Sequence, residues 1–235
     1  MTQTTTLSFF RFNRLRDRMW AFAMMGGARI AMARIPDLSF WKLCGSGTGE
    51  GFTPMPNTGV YAILCVWPNV DVARARLTQT PVFTRYRARA SEHWTVFLNP
   101  ISARGAWSGS APFSPVTDTV DGPLAALTRA TIKPGILAKF WGRVPDISAM
   151  IGSDPNVIFK IGIGEVPMLH QITFSIWPGV PEMAAFARNN GPHAAAIQAV
   201  RDGAWFKEEL YARFAITGDT GTWGGTSPLE GLKLK

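Results

Sequence analysis

The sequence predicts an α+β chain made of two copies of one strand–helix–strand–strand–helix–strand unit. The first reason is internal repetition. Arg34-Ile35-Pro36-Asp37-Leu38-Ser39 returns 109 residues later as Arg143-Val144-Pro145-Asp146-Ile147-Ser148. Ala62-Ile63-Leu64-Cys65-Val66-Trp67-Pro68 returns after 110 residues as Ile172-Thr173-Phe174-Ser175-Ile176-Trp177-Pro178, and Trp94 is matched by Trp205. Lys42 through Glu50 (KLCGSGTGE) returns in shortened form as Lys160 through Glu165 (KIGIGE). The second reason is that hydrophobic periodicity switches between two and 3.6 in one order within both copies. The third is a hydrophobic content of 46% with nine Trp and fifteen Phe, enough for a sizeable core.

In the first copy, Thr5–Phe12 alternates around Phe10 and Phe12, and Leu15–Ile35 has a helical period. Phe40–Gly49 and Val60–Trp67 read as strands, separated by Pro54, Pro56 and Gly59. Val70–Ala90 reads as helix, and Trp94–Leu98 closes the unit. In the second copy, Leu124–Ile132 opens, Ile136–Trp141 starts a helix, and Val157–Ile163 with Leu169–Trp177 forms a hairpin. A helical stretch follows from Glu182 to about Phe214, interrupted at Gly191-Pro192.

This βαββαβ order matches a ferredoxin-like unit. Tandem ferredoxin-like repeats in one chain can place their sheets face to face with helices outside, giving a dimeric-α+β-barrel-like fold. The space between the sheets is the expected pocket. The expected boundaries are residues 1–115 for the first repeat, 116–220 for the second and 221–235 for a C-terminal tail. Residues 103–122, with Trp107 and Phe113 among their glycines and prolines, read as a connection wrapped on the body.

Two cysteines, Cys44 and Cys65, make no disulfide framework and indicate a reducing compartment. Residues 1–7 lack the features of a signal peptide, and the apolar run Met19–Ala28 is far below the ~20 residues that span a bilayer. The expectation is a cytoplasmic protein, soluble or at most peripheral to a membrane. Residues 1–90 carry twelve basic side chains against four acidic ones, which accounts for the whole net charge of +8. Such a half is either an ordinary solvated surface or a face for an anionic partner. No helix-turn-helix, zinc or RNA-binding signature accompanies it, so nucleic acid is excluded as the partner.

Differences between the copies mark where function has been added. On the strand ending in Trp67, Tyr61, Ile63 and Cys65 share one face; their counterparts are Gln171, Thr173 and Ser175, so an apolar face has become polar. The opposite face stays apolar, except that Val60 has become His170. Lys160, Gly162 and Gly164 share a face of the neighbouring strand. Glycines there accommodate either a flat ligand or a bulge.

No HExxH, CxxC, GxSxG, P-loop or GxGxxG occurs in its required context, and no paired-His spacing suggests mononuclear zinc. The run Gly45–Gly51 lacks the Lys-Ser/Thr ending of a phosphate loop and suits a hairpin turn. His193 follows Gly191-Pro192 at a fresh helix start and has no histidine counterpart near Val82. It is either a surface histidine or an axial ligand to haem iron. His170 is the second choice as metal ligand, with a hydrogen-bonded core histidine as the alternative. His93 sits in the polar stretch Ser91-Glu92-His93 and is expected to face solvent. Cys44 is read as a structural cysteine. No acid–base residue stands out as catalytic.

Phe40-Trp41-Lys42-Leu43-Cys44-Gly45-Ser46-Gly47-Thr48-Gly49-Glu50-Gly51-Phe52-Thr53-Pro54 resembles the spheroidene monooxygenase family of purple phototrophic bacteria. So do Phe140–Pro145, Phe159–Pro167 and Phe206–Phe214, and the similarity runs from about Leu7 to Phe214. The resemblance implies haem-dependent oxygenation at C-2 of an acyclic carotenoid, spheroidene to spheroidenone, with dioxygen and reduced ferredoxin. Haem iron would then sit in the second repeat. His193 is its expected ligand, and Lys160, Gly162, Gly164, Gln171, Thr173 and Ser175 are expected to line the same pocket. Arg11, Arg14, Arg16 and Arg18, preceding the apolar run Trp20–Met25, suit either a helix at an anionic headgroup interface or a core-facing helix whose arginines point to water. A non-catalytic haem- or lipid-binding barrel is the alternative.

Overall fold

Alternating apolar residues in eight segments give eight antiparallel strands that close into a barrel. The computed structural model describes residues 2–49, 51, 53–116, 122–142, 154–188 and 205–234. In the first half β1 (Thr4–Arg11) leads to α1 (Leu15–Gly27) and α2 (Arg29–Ala33), and β2 (Phe40–Gly47) pairs with β3 (Pro56–Trp67). Then come α3 (Val70–Gln79), α4 (Pro81–Arg89) and β4 (Glu92–Gly105). In the second half β5 (Leu124–Ile132) precedes a 3-10 turn and α5 (Leu137–Trp141). β6 (Phe159–Gly164), β7 (His170–Trp177), α6 (Val180–Arg188) and β8 (Phe206–Gly221) follow.

The stretch Val70–Ala90, expected as one helix, is two. Asn69 caps α3 by accepting from the Val72 amide at 2.9 Å. Pro81 then forces Thr80 into an extended conformation and opens α4 at a first-turn position that needs no N–H. A larger correction concerns the chain's end. Phe206–Gly221, expected to continue a helix to about Phe214, is the longest strand. Leu210, Ala212, Phe214 and Ile216 point into the barrel core, and the residues between them face out. This period of two overrides the helix propensity of Lys207, Glu208, Glu209 and Ala212.

The barrel order is β1-β3-β2-β6-β7-β5-β8-β4, so both halves contribute four strands in equivalent sequence. They join at two seams. β4 pairs with β8 from Trp94–Gly221 to Gly105–Leu210, whereas β2 meets β6 only at Gly45–Gly164 and Ser46–Ile163. The space between the sheets, expected to be the pocket, is filled. Phe9 stacks on Trp94 at 5.6 Å and lies within 6.0 Å of Phe174, with Leu7, Val96, Leu127 and Phe214 also buried there. An eight-stranded barrel is just wide enough for side chains to fill it.

Strand register corrects the repeat alignment. Trp67 and Trp177 are equivalent, so Cys65 matches Ser175. Their partners are Trp41 and Lys160 respectively. Lys160 therefore takes the place of Trp41, and Lys42 matches Ile161. A slip of one residue exchanges the faces of a strand: Lys42 points into the barrel and Lys160 away from it. Register likewise equates Glu92, opposite Arg11, with Glu208, opposite Thr131, so Trp94 matches Leu210 instead of Trp205. The hexapeptide copy at 143–148 lies outside the described residues.

A tight turn closes each barrel end. Trp107 bridges to Ser110 and Trp223 to Thr226. Phe113 is buried, so the connection after β4 lies on the body as expected, and Leu229 in the tail belongs to the barrel core.

Gly162 allows the short seam to form. A Cβ there would sit 2.3 Å from the Gly51 carbonyl oxygen of the β2–β3 loop. Gly162→Ala should therefore destabilise the fold by about 1–3 kcal/mol in chemical denaturation. Gly26→Ala, in an exposed helical position with nothing within 4 Å, should instead stabilise by about 0.5–1 kcal/mol.

Candidate functional site: the outer face of the second sheet

The two sheets differ most on their outer faces. In the first half Phe10, Phe12, Tyr61, Ile63, Cys65 and Trp67 pack beneath α1–α4 with Phe83 and Tyr86. One lateral row there runs Leu43, Ile63, Ser8, Thr95, all buried, and the Thr95 hydroxyl hydrogen-bonds Ser8 Oγ at 2.7 Å. The equivalent row in the second half is Gly162, Thr173, Thr128, Tyr211. Thr128 is exposed, and Thr173 and Tyr211 are half-buried. Among the described residues the apolar cover is Leu124, Trp177 and Met183 with Phe186, whose ring lies 5.1 Å from Trp177.

Most of the expected residues gather on this face. Lys160 pairs with Ser175 and Gly162 with Thr173. Ser175 is buried and accepts a hydrogen bond from the Trp177 indole at 2.9 Å. Gln171 shares the parity of Thr173. Gly164 ends the same strand face, where a Cβ would meet the His170 carbonyl at 2.1 Å. The close approach at both glycines is therefore made by the chain itself. Thr128 and Tyr211 join the group from neighbouring strands, as single-strand reading could not show. His193 lies outside the described residues.

His170 belongs to a different place, the barrel end closed by the Trp107 turn. There Glu165 receives Lys42 Nζ at 3.0 Å and the Trp107 indole at 2.8 Å. His170 Nδ1 lies 3.3 Å from Glu165 but is misaligned for a hydrogen bond. Arg129, with a side chain only 1% exposed, bridges Glu165 and Glu208. Glu208 also accepts the amides of Ser108 and Gly109. Burial raises the Glu208 carboxyl's pKa, but those two amides and Arg129 outweigh it and leave it low. The opposite end repeats the device with Glu92, Arg11 and Trp223: the Arg11–Glu92 pair spans 2.8 Å and Arg11 stacks on Trp223 at 4.3 Å.

Burial lowers the His170 pKa, Glu165 opposes this and Arg129 adds to it, so the ring is held neutral. Burial, with Glu165 adding, raises Cys44 well above the ordinary thiol range, so it remains a thiol. His93 lies half-buried in β4 instead of facing solvent. Among the described residues no group of three metal-ligating side chains occurs. A cleft of about 570 Å³ lies at the Trp223 end. A smaller one of about 230 Å³ lies along the short seam, and Gln171 links it to the polar face.

Removing Arg129 strands two carboxylates. Arg129→Met should cost about 3–5 kcal/mol in denaturant unfolding, the usual loss on breaking a buried pair. A depressed histidine pKa gives stability that is complete above the ordinary value of 6.5 and lost as pH falls toward the folded value. His170→Gln should therefore flatten the fall in melting temperature below pH 6.5 relative to the parent.

No protein-family model matches the chain. Among solved structures, two aldoxime dehydratases share the fold. One, in complex with butyraldoxime, has a TM-score of 0.60 at 10% identity, covering 92% of this chain and 80% of that one. The other has a TM-score of 0.59 at 9% identity, with coverage of 92% and 82%. Spheroidene monooxygenase of Cereibacter sphaeroides is 51% identical over 229 residues, 97% of this chain and 71% of its own. That of Rhodobacter capsulatus is 49% identical over 233 residues, 98% and 97% of the two chains. That of Rubrivivax gelatinosus is 32% identical over 208 residues, 88% and 80%. Identity at this level across nearly the whole barrel means that the chain belongs to the spheroidene monooxygenase family.

Proposed function

We propose that the chain is a carotenoid monooxygenase that introduces a C-2 keto group into acyclic carotenoids, spheroidene to spheroidenone. Its co-substrates in this reading are dioxygen and reduced ferredoxin, and its cofactor is haem. The observation that carries the reading is the outer face of the second sheet, polar among the described residues where its counterpart is sealed by aromatic side chains. Family membership supplies the substrate class. The equivalent strand orders support two ferredoxin-like repeats, divided near residue 116, with the tail from 221 folded onto the barrel end.

An allylic CH₂ in a polyene offers no handle for acid–base catalysis, so a redox cofactor must supply the oxidising chemistry. Haem, when bound, supplies the dioxygen and one-electron chemistry that side chains lack. The described face suits a planar group. Thr173, Thr128 and Ala126 form a low-relief surface across β7 and β5, with Lys160 at its edge. This face carries no imidazole among the described residues, and His193 is the residue that would hold the iron. His170, inside the barrel end and against Glu165, is the second choice. Two successive hydroxylations at one carbon and loss of water give the ketone, which requires the chain to hold C-2 in place and exclude bulk water. The basic first half is assigned to anionic partners, reduced ferredoxin and the membrane surface.

An absorbance scan of the protein reconstituted with haem tests this. A Soret band should appear, vanish in His193→Ala and persist in His93→Ala. Thr128→Trp, filling an exposed position on the face, should reduce haem binding at least tenfold with little change in melting temperature. Loss of the band in His170→Ala alone would reassign the ligand. A band without turnover of spheroidene by dioxygen and reduced ferredoxin would leave a haem-binding barrel.

A further inference from the structure

Helix α1 is apolar on the wrong side. Its inward face carries Ala21, with Trp20, Met24 and Met25 packed against the helical layer. Its outward face carries Leu15, Met19 and Phe22, spaced as one helical stripe and 72%, 64% and 69% exposed. Ile30 on α2 extends the stripe at 67%. A contiguous apolar stripe on an otherwise water-facing helix marks a contact surface.

The charges around it are of one sign. Arg14, Arg16, Arg29 and Arg34 are exposed, and the acid in α1, Asp17, is buried and paired with Arg89 at 3.3 Å. Three of the arginines expected to contribute are otherwise engaged: Arg11 pairs with Glu92, Arg16 lies 3.6 Å from the Asp17 carboxylate, and Arg18 donates to the Phe12 carbonyl at 2.9 Å. The exposed set thus differs from the Arg11–Arg18 block of the sequence.

The stripe ends at an opening. The cleft of about 230 Å³ along the short seam is lined by Phe22 and Met25 of α1 and by Trp141, Val166 and Met168, with the polar Glu165, His170 and Gln171 beside them. Met168 and Val166 are themselves exposed at the rim. An apolar path therefore leads from the outward face of α1 to the edge of the second sheet's polar face.

We infer that the Leu15/Met19/Phe22/Ile30 face of α1–α2 seats on an anionic lipid surface and that the seam cleft is the portal through which an apolar polyene passes from the bilayer. The portal rests on the carotenoid reading above; the lipid contact does not. Arginines flanking bulky apolar side chains suit headgroup phosphates above acyl chains. An acidic protein partner would use the arginines and leave the apolar stripe in water. A second copy would bring four exposed arginines against their own equivalents. Charge complementarity and apolar exposure together select the anionic bilayer.

The test is co-sedimentation with phosphatidylcholine vesicles, with and without phosphatidylglycerol, at low and high salt. The parent should bind the anionic vesicles and lose binding as salt rises. Leu15→Ser/Met19→Ser/Ile30→Ser and Arg14→Glu/Arg34→Glu should each weaken partitioning roughly tenfold or more, with melting temperature and oligomeric state unchanged because every altered side chain is exposed. No binding by the parent, or equal binding by both variants, overturns the inference. A serine variant that splits a parent dimer assigns the stripe to a second copy and overturns it too, as does an arginine variant impaired only in ferredoxin binding. Turnover supplies the second arm. The serine variant should oxidise spheroidene in detergent micelles at the parent rate and fall behind at least tenfold when it is embedded in anionic vesicles. Absence of turnover by the parent in both media would sink the oxygenase reading while vesicle binding still decides the lipid contact.

Discussion

Closure of the barrel at its short seam is the constraint on which the rest of the structure depends. β2 and β6 share only the pairs Gly45–Gly164 and Ser46–Ile163. Two cross-half contacts supplement this brief ladder. Gly51 presses its backbone onto Gly162, and Lys42 of the first half is ion-paired with Glu165 of the second. A buried ion pair is weak evidence of net stabilisation, since desolvation offsets much of the attraction. Its value here is specificity: Lys42 reaches Glu165 only if β2 and β6 meet in the right register, because a slip of one residue would turn Lys42 outward. With the seam closed, the eight described strands form one barrel.

Closure also divides labour between the halves. The barrel interior is filled by aromatic and aliphatic side chains from all eight strands, so a sizeable ligand must bind elsewhere. The first sheet seals its outer face with four helices and a cluster rich in aromatics. The second sheet has a glycine, a threonine and a serine at the positions where the first has leucine, isoleucine and cysteine. An uncovered polar face is energetically tolerable in water, and it is the surface to which a bound group could add the missing cover. The seam cleft lies where the two outer faces meet, in reach of both the apolar stripe of α1 and Gln171.

Much of this was legible in the sequence, and the exceptions have physical reasons. The Trp67/Trp177 repeat set the hairpins correctly, because a β-strand cannot tolerate a shift without exchanging faces. The polar replacement of Tyr61, Ile63 and Cys65 was readable for the same reason. The glycine-rich segments aligned one residue out, since a shortened loop leaves no side chains to fix the register, and Lys42 was therefore equated with Lys160. β8 was hidden by its helix-forming glutamates and alanines, whose alternation has meaning only against a partner strand. Thr128 and Tyr211 enter the face through lateral pairing, which a linear sequence does not display. The Trp107 and Trp223 turns lie in loops, where the two copies share a tryptophan and small residues but no strand periodicity to align them.

The central claim is that the second sheet's outer face, and no other surface, is where the cofactor lies. A crystal structure of the haem-loaded protein, with anomalous scattering measured at the iron edge, tests it most directly. Iron above Thr173 and Thr128, on the side away from the barrel interior, is the expected result. Iron at the barrel end beside Glu165 and His170, in the cleft under Trp223, or beneath α1–α4 would contradict it.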